Sequence, residues 1–127
     1  NIYRHDERQC VGCAAEKWEE QNEPRLVDRS EQVLDPLTAY QMVSMLEGVV
    51  QRGTAQVVKA VGKPLAGKTG TTNDAKDVWF VGFSPDLAVG VYLGFDRPRS
   101  LGDSATAGQY AAPIFRDFMA QALKDKP

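Results

Sequence analysis

Two β-rich runs, DVWFVGF and LAVGVYLGF, are separated by only Ser84, Pro85 and Asp86. A parallel crossover consumes about a dozen residues or more, so a Ser-Pro-Asp turn can join only antiparallel neighbours. Residues 78–83 are therefore expected to pair with residues 88–95. Glycines weaken an isolated strand, so some of Gly82, Gly90 and Gly94 are expected to mark close helix packing or a bulge.

Helical signals flank this hairpin. Asp35 followed by Pro36 is a strong start, because aspartate caps free amides and proline at the first helical position loses no hydrogen bond. Apolar residues recur at Ala39, Met42, Val43, Leu46, Val49 and Val50, and Gly53 closes the pattern. This spacing predicts a core helix of about four turns. A second amphipathic helix is predicted over residues 109–124, with Ala111, Ile114, Phe115, Phe118, Met119 and Ala122 on the stripe that lies on the sheet. The residues between Gly53 and Pro64 carry no decisive period. The order of elements makes the chain α+β.

With 127 residues, 43% hydrophobic and 25% charged, the chain has the composition of one globular domain and not of a disordered segment, coiled coil or membrane span. Its 15 basic against 17 acidic residues leave no positive excess for a phosphate backbone, which excludes nucleic acid as a partner. Residues 1–31 are acidic and poor in apolar side chains, which suggests a surface segment. They hold both cysteines, Cys10 and Cys13. Together with the lone His5 these supply three metal ligands at best, one short of a structural zinc site, so two thiols or one small disulfide is the simpler reading. The chain starts without methionine and without the apolar run of a signal peptide, and is read as a piece of a longer polypeptide.

The stretch GKPLAGKTGTTND, residues 62–74, fits two incompatible patterns. Gly62, Gly67, Lys68 and Thr69 match the phosphate-binding G-x-x-x-x-G-K-[ST]. That loop needs a helix to begin at its Lys-Thr, yet Gly70, Thr71, Thr72, Asn73 and Asp74 are all poor helix formers. Asp96, at the end of VYLGF, mimics a magnesium-holding aspartate but belongs to the antiparallel hairpin. A nucleotide-binding module is thus the outside alternative. Lys68-Thr69-Gly70 also fits the K-T-G triplet of acyl-transfer enzymes, which requires a strand at the edge of a pocket. Residues 65–72 suit such a strand, with Lys68 and Gly70 facing one way and Thr69 and Thr71 the other. Gly70, without a Cβ, lets a substrate backbone lie against the strand and extend it. A bare tripeptide would more simply be a solvated lysine on a threonine-rich strand.

The triplet has context. The run AGKTGTTNDAKDVWFVGFSPDLAVGVYLGFD, with LDPLTAYQMVSMLEGVVQRGTA before it and AAPIFRDFM after it, resembles the carboxyl-terminal half of the transpeptidase domain of bifunctional (class A) penicillin-binding proteins. The likeness runs from about residue 33 to residue 119, and YRHDERQCVGC is similar to the segment these enzymes carry before it. It implies a fragment of the penicillin-recognising, β-lactamase-like fold, an antiparallel sheet packed with helices, with residues 32–127 forming the structured part. It also implies the chemistry: a serine attacks a D-alanyl-D-alanine stem peptide, releases D-alanine and passes the acyl group to an amine of a neighbouring strand, and β-lactams trap the acyl-enzyme. Carried onto this sequence, Lys68 is the catalytic lysine beside the serine. Thr69, Gly70 and Thr71 receive the substrate carboxylate or β-lactam, and the backbone amide of Thr71 is an oxyanion donor. No metal or cofactor is implied.

One departure is informative. The family also needs S-x-x-K and S-x-N, but none of Ser30, Ser44, Ser84, Ser100 and Ser104 has lysine three residues on or asparagine two residues on. The chain carries one wall of an active site, so the isolated piece is expected to be inactive. Its expected partners are stem peptides and β-lactams in the intact domain, the upstream half of that domain, and another copy of itself through an open strand edge. The likeness places the parent on the periplasmic, extracytoplasmic face of a bacterial inner membrane, anchored upstream, with no membrane contact from this segment. A D-alanyl carboxypeptidase, a β-lactamase-type hydrolase or a β-lactam sensor of the same fold is the alternative.

Overall fold

A computed structural model of the chain describes residues 31–126, Lys17 and the backbone of three short strands before them. Strands β1 (Tyr3–Arg4) and β4 (Glu31–Gln32) pair antiparallel, as do β2 (Gln9–Val11) and β3 (Arg25–Val27). The segment expected at the surface thus contains short ladders. His5, Cys13 and the side chain of Cys10 lie outside the described residues. Two compact units divide the chain, Asn1–Tyr40 and Gln41–Pro127.

Helix α1 spans Pro36–Arg52. Asp35 Oδ2 accepts the Thr38 backbone N–H at 2.9 Å and the Thr38 hydroxyl at 3.3 Å, the cap expected of an Asp-Pro start. Gly53 does not end it in a left-handed conformation, since among the described glycines only Gly62 and Gly102 have positive φ. Instead, a Cβ on Gly53 would lie 2.8 Å from Val49 Cα and 2.9 Å from Val49 O, so close approach excludes a side chain. The predicted core stripe is only partly buried. Val50 is covered, Ala39, Val43, Leu46 and Val49 are half-buried, and Met42 is exposed. Periodicity shows that a face is apolar but not what covers it. The stretch without a decisive period forms a short 3-10 helix, Gln56–Val61, which buries Val58 and ends at Gly62 with φ +71°.

Strands β5 (Ala66–Thr71), β6 (Asp77–Phe83) and β7 (Ala88–Gly94) form an antiparallel meander in that order. Ser84 N–H donates to Leu87 O at 2.8 Å, while Ser84 Oγ accepts from the amides of Asp86 and Leu87 at 3.2 and 3.1 Å. The turn that restricts the topology is thus closed by one buried serine.

Directly paired residues share a sheet face. Val78, Phe80 and Gly82 lie on one face with their partners Leu93, Val91 and Val89. That face packs on helix α2 (Ala111–Ala122), where the Phe80 and Phe115 rings meet edge-on at 4.7 Å. Gly67 and Gly82 sit opposite each other in this layer. The buried stripe of α2 is Ala111, Ala112, Phe115 and Met119, continued by Leu123. Ile114 and Phe118, expected on the sheet, are exposed instead. The predicted stripe was wider than the single seam that a twisted three-stranded sheet covers. Trp79, Val81 and Tyr92 occupy the opposite sheet face and are about half exposed, with the Trp79 and Tyr92 rings 4.8 Å apart.

Candidate active-site edge

Lys68 lies in the middle of β5, so no helix starts there and the phosphate-loop reading falls. Strand β5 is the edge of its sheet, with no strand on its outer side among the described residues. Just beyond it, Thr72 N–H donates to Asp77 O at 3.0 Å, and Asp77 N–H donates to Thr72 Oγ1 at 2.9 Å. Antiparallel pairs alternate between bonded and non-bonded. Since Thr72 bonds inward to Asp77, the backbone N–H and C=O groups of Thr71, Thr69 and Gly67 turn outward, away from β6. Lys68 Nζ donates to one of these outward groups, the Thr69 carbonyl, at 2.8 Å.

Lys68 and Gly70 pair with Val81 and Trp79, and so lie on the open sheet face. Thr69 and Thr71 pair with Phe80 and Val78 and lie on the other face, in agreement with the expected alternation. Each threonine hydroxyl already has one neighbour. Thr69 Oγ1 is 2.8 Å from Thr54 Oγ1, just after α1. Thr71 Oγ1 accepts the Ala107 backbone N–H at 3.1 Å. A Cβ on Gly108 would run into the Thr54 carbonyl, so only glycine lets these two loops meet. By contrast, a Cβ on Gly70 would meet only Trp79 Cβ, at 3.6 Å, an ordinary contact. Packing within the described residues therefore does not demand glycine at 70.

A cleft of about 440 Å³ opens at the end of β5, lined by Thr71, Asp74, Ala75, Ser100, Gly102, Asp103 and Ala105. Asp74 and Ala75 have φ of +60° and +47°, a tight turn that is tied to the facing loop by Leu101 N–H donating to Ala75 O at 2.8 Å. Behind the turn, Tyr92 O–H donates to Asp77 Oδ1 at 2.7 Å. That bond is the main cause holding the phenol pKa above its ordinary value, with lesser contributions from desolvation and from the charges of Asp77 and Asp96.

Lys68, Thr69, Gly70 and Thr71 thus run consecutively along one open edge. The neighbours of the two hydroxyls were not legible in the sequence. Thr54 reads only as a residue after a helix stop, and the Ala107 contribution is a backbone amide that leaves no mark in the side-chain pattern. Among the described residues no group of three or more His, Cys, Asp or Glu could hold a metal ion, and no helix is long and apolar enough to cross a membrane.

Residues 15–120 match the family model described as the penicillin binding protein transpeptidase domain. The chain is 46% identical to penicillin-binding protein 1A of Rickettsia bellii over 99% of its own length, which is 16% of that protein. It is 50% identical to penicillin-binding protein 1A of Neisseria lactamica, over 76% of this chain and 12% of that one. The crystal structure of penicillin-binding protein 1A from Haemophilus influenzae superposes with a TM-score of 0.74 at 30% identity, covering 80% of this chain and 17% of that one. The chain spans about an eighth to a sixth of these relatives' length. The chain, whose antiparallel meander carries K-T-G on its edge strand and which is matched along most of its sequence, belongs to the penicillin-binding protein transpeptidase family.

Proposed function

We infer that the chain supplies the K-T-G wall of a serine-type D-Ala-D-Ala transpeptidase site that cross-links peptidoglycan stem peptides and is acylated by β-lactams. The observation that carries this reading is the edge of β5, unpaired among the described residues, where the Thr69 and Thr71 backbone groups face outward and Lys68 Nζ donates to the Thr69 carbonyl. An extended stem peptide can add to that edge as a guest strand. In this reading Lys68 brings positive charge beside the nucleophilic serine and the substrate carboxylate. Thr69 and Thr71 donate hydroxyl hydrogen bonds to that carboxylate, bonds of about 1.5–3 kcal/mol each to a charged group. The Thr71 N–H faces the oxygen that becomes anionic when the serine attacks. Gly70, free of any packing demand within the described residues, leaves room for the guest backbone.

The serine and its lysine come from the upstream half of the domain. That half also covers the apolar sheet face of Trp79, Val81 and Tyr92, which is otherwise half exposed. Because its substrate is peptidoglycan in this reading, the domain acts on the extracytoplasmic side, with the membrane anchor elsewhere in the parent. The test is acylation of the intact domain by a labelled penicillin. Lys68→Ala is expected to slow it by roughly a hundredfold or more, comparable to loss of an oxyanion donor, while the fold is retained. Wild-type acylation by a folded Lys68→Ala protein would show that Lys68 is bystander charge and would sink the assignment.

A further inference from the structure

The geometry points to Thr54 as a positioning residue that, with the Ala107 amide, sets the hydroxyls of Thr69 and Thr71 as donors toward the edge of β5. This rests on the reading that these two threonines bind a carboxylate. A hydroxyl has one proton to give and lone pairs to accept with. The Ala107 N–H can only donate, so Thr71 Oγ1 accepts it, and the Thr71 proton stays available for another acceptor. Thr69 and Thr54 are joined by one hydrogen bond of 2.8 Å in which either hydroxyl can be the donor. If Thr69 gave its proton to Thr54, it would have none for an anion. When a carboxylate docks, the arrangement that satisfies every group is Thr54 O–H to Thr69 Oγ1, and Thr69 O–H to the carboxylate. Each bond in such a chain polarises the next and makes the terminal donor stronger.

The two supports come from different parts of the chain, residue 54 after α1 and residue 107 before α2, and they touch at Gly108, where a side chain would strike the Thr54 carbonyl. Both threonines lie on the same face of β5, so the two loops act on one pair of hydroxyls from the same side. Thr54 itself makes no contact with a docked peptide in this scheme. It acts through Thr69, and its signature is selectivity for a charged carboxylate rather than general loss of reactivity.

The experiment uses the intact transpeptidase domain and compares acylation by a penicillin with acylation by its uncharged methyl ester. Thr54→Val keeps the shape and removes the proton. It is expected to reduce the acid-over-ester preference by roughly five- to tenfold, the scale of one modest hydrogen bond, chiefly through the binding constant rather than the limiting acylation rate. Thr54→Ser, which restores the hydroxyl, is expected to restore the preference, a rescue that a purely structural role would not give. Thr54→Ala serves if the valine protein does not fold, since residue 54 is exposed. An unchanged preference in folded Thr54→Val or Thr54→Ala would overturn the inference. Thr69→Val separates the two levels. If it abolishes the preference while the residue 54 variants leave it intact, only the positioning role fails; if it too leaves the preference intact, the carboxylate reading fails with it.

Discussion

Gly82 and Gly90 lie on neighbouring strands of the same meander, yet replacing each with alanine should have opposite effects. A Cβ on Gly82 would sit 2.7 Å from Phe115 Cζ, 2.7 Å from Phe80 Cε1 and 3.0 Å from Ala66 O. Both rings are fully buried and locked edge-on, so neither can swing out of the way. Overpacking of this kind costs about 1–3 kcal/mol, while removing glycine's freedom from the unfolded chain returns about 0.4–1 kcal/mol. Gly82→Ala should therefore destabilise by roughly 1–2 kcal/mol. A Cβ on Gly90 would find only Val81 Cγ2, at 4.0 Å. Gly90→Ala keeps the entropic gain without the clash and should be neutral or stabilising by up to about 1 kcal/mol. Urea unfolding of the 127-residue chain and both variants, followed by tryptophan fluorescence, measures the pair on one scale. Equal midpoints for the two variants, or a Gly82→Ala midpoint at or above wild type, would refute the argument that Gly82 is glycine because the Phe80–Phe115 contact fills its side-chain space.

The Tyr92–Asp77 bond makes a prediction with a definite sign. Because the folded phenol titrates above its ordinary value, its contribution is fully present below about pH 10 and is lost as pH rises through the folded value. Thermal scans between pH 9 and 11 should show a shallower alkaline loss for Tyr92→Phe than for wild type, and parallel curves would remove the bond from the account. The isolated chain, lacking any S-x-x-K serine, should form no covalent adduct with a labelled penicillin by mass spectrometry; a stoichiometric adduct would place the nucleophile within it. Ser84 pairs inward with Leu87, so alternation leaves the backbone groups of Ala88, Gly90 and Tyr92 facing outward on the β7 edge, beside an apolar face. Light scattering of the isolated chain should therefore reveal association that grows with concentration, and a strict monomer at high concentration would argue against an open edge.

The parts of the fold that were legible are those governed by short-range chemistry. Asp35-Pro36 located the start of α1, and Ser84-Pro85-Asp86 set the hairpin and its antiparallel sense. The β-branched Thr69 and Thr71 around Gly70 pointed to a strand, and that strand removed the phosphate-loop alternative. What was not legible depends on partners distant in sequence. The stripe of α1 identified an apolar face but not the exposure of Met42. The stripe of α2 included Ile114 and Phe118 because period alone cannot tell a broad apolar face from the narrower seam that Phe115 and Met119 fill. The site divides in the same way. Its four central residues form one contiguous motif, whereas Thr54 and Ala107 reach it only through tertiary folding.

The Ala107–Thr71 bond joins residues 36 apart, whereas the meander that carries Thr71 is closed by short turns. Closure entropy rises with separation, and local pairings form first. In kinetic terms, the edge of β5 acquires its backbone early, and its hydroxyls are oriented only when the segment before α2 docks. Substitutions in the Ser84 turn should then slow folding, while truncations of Phe115 should mainly hasten unfolding; the reverse assignment of φ-values would contradict that order.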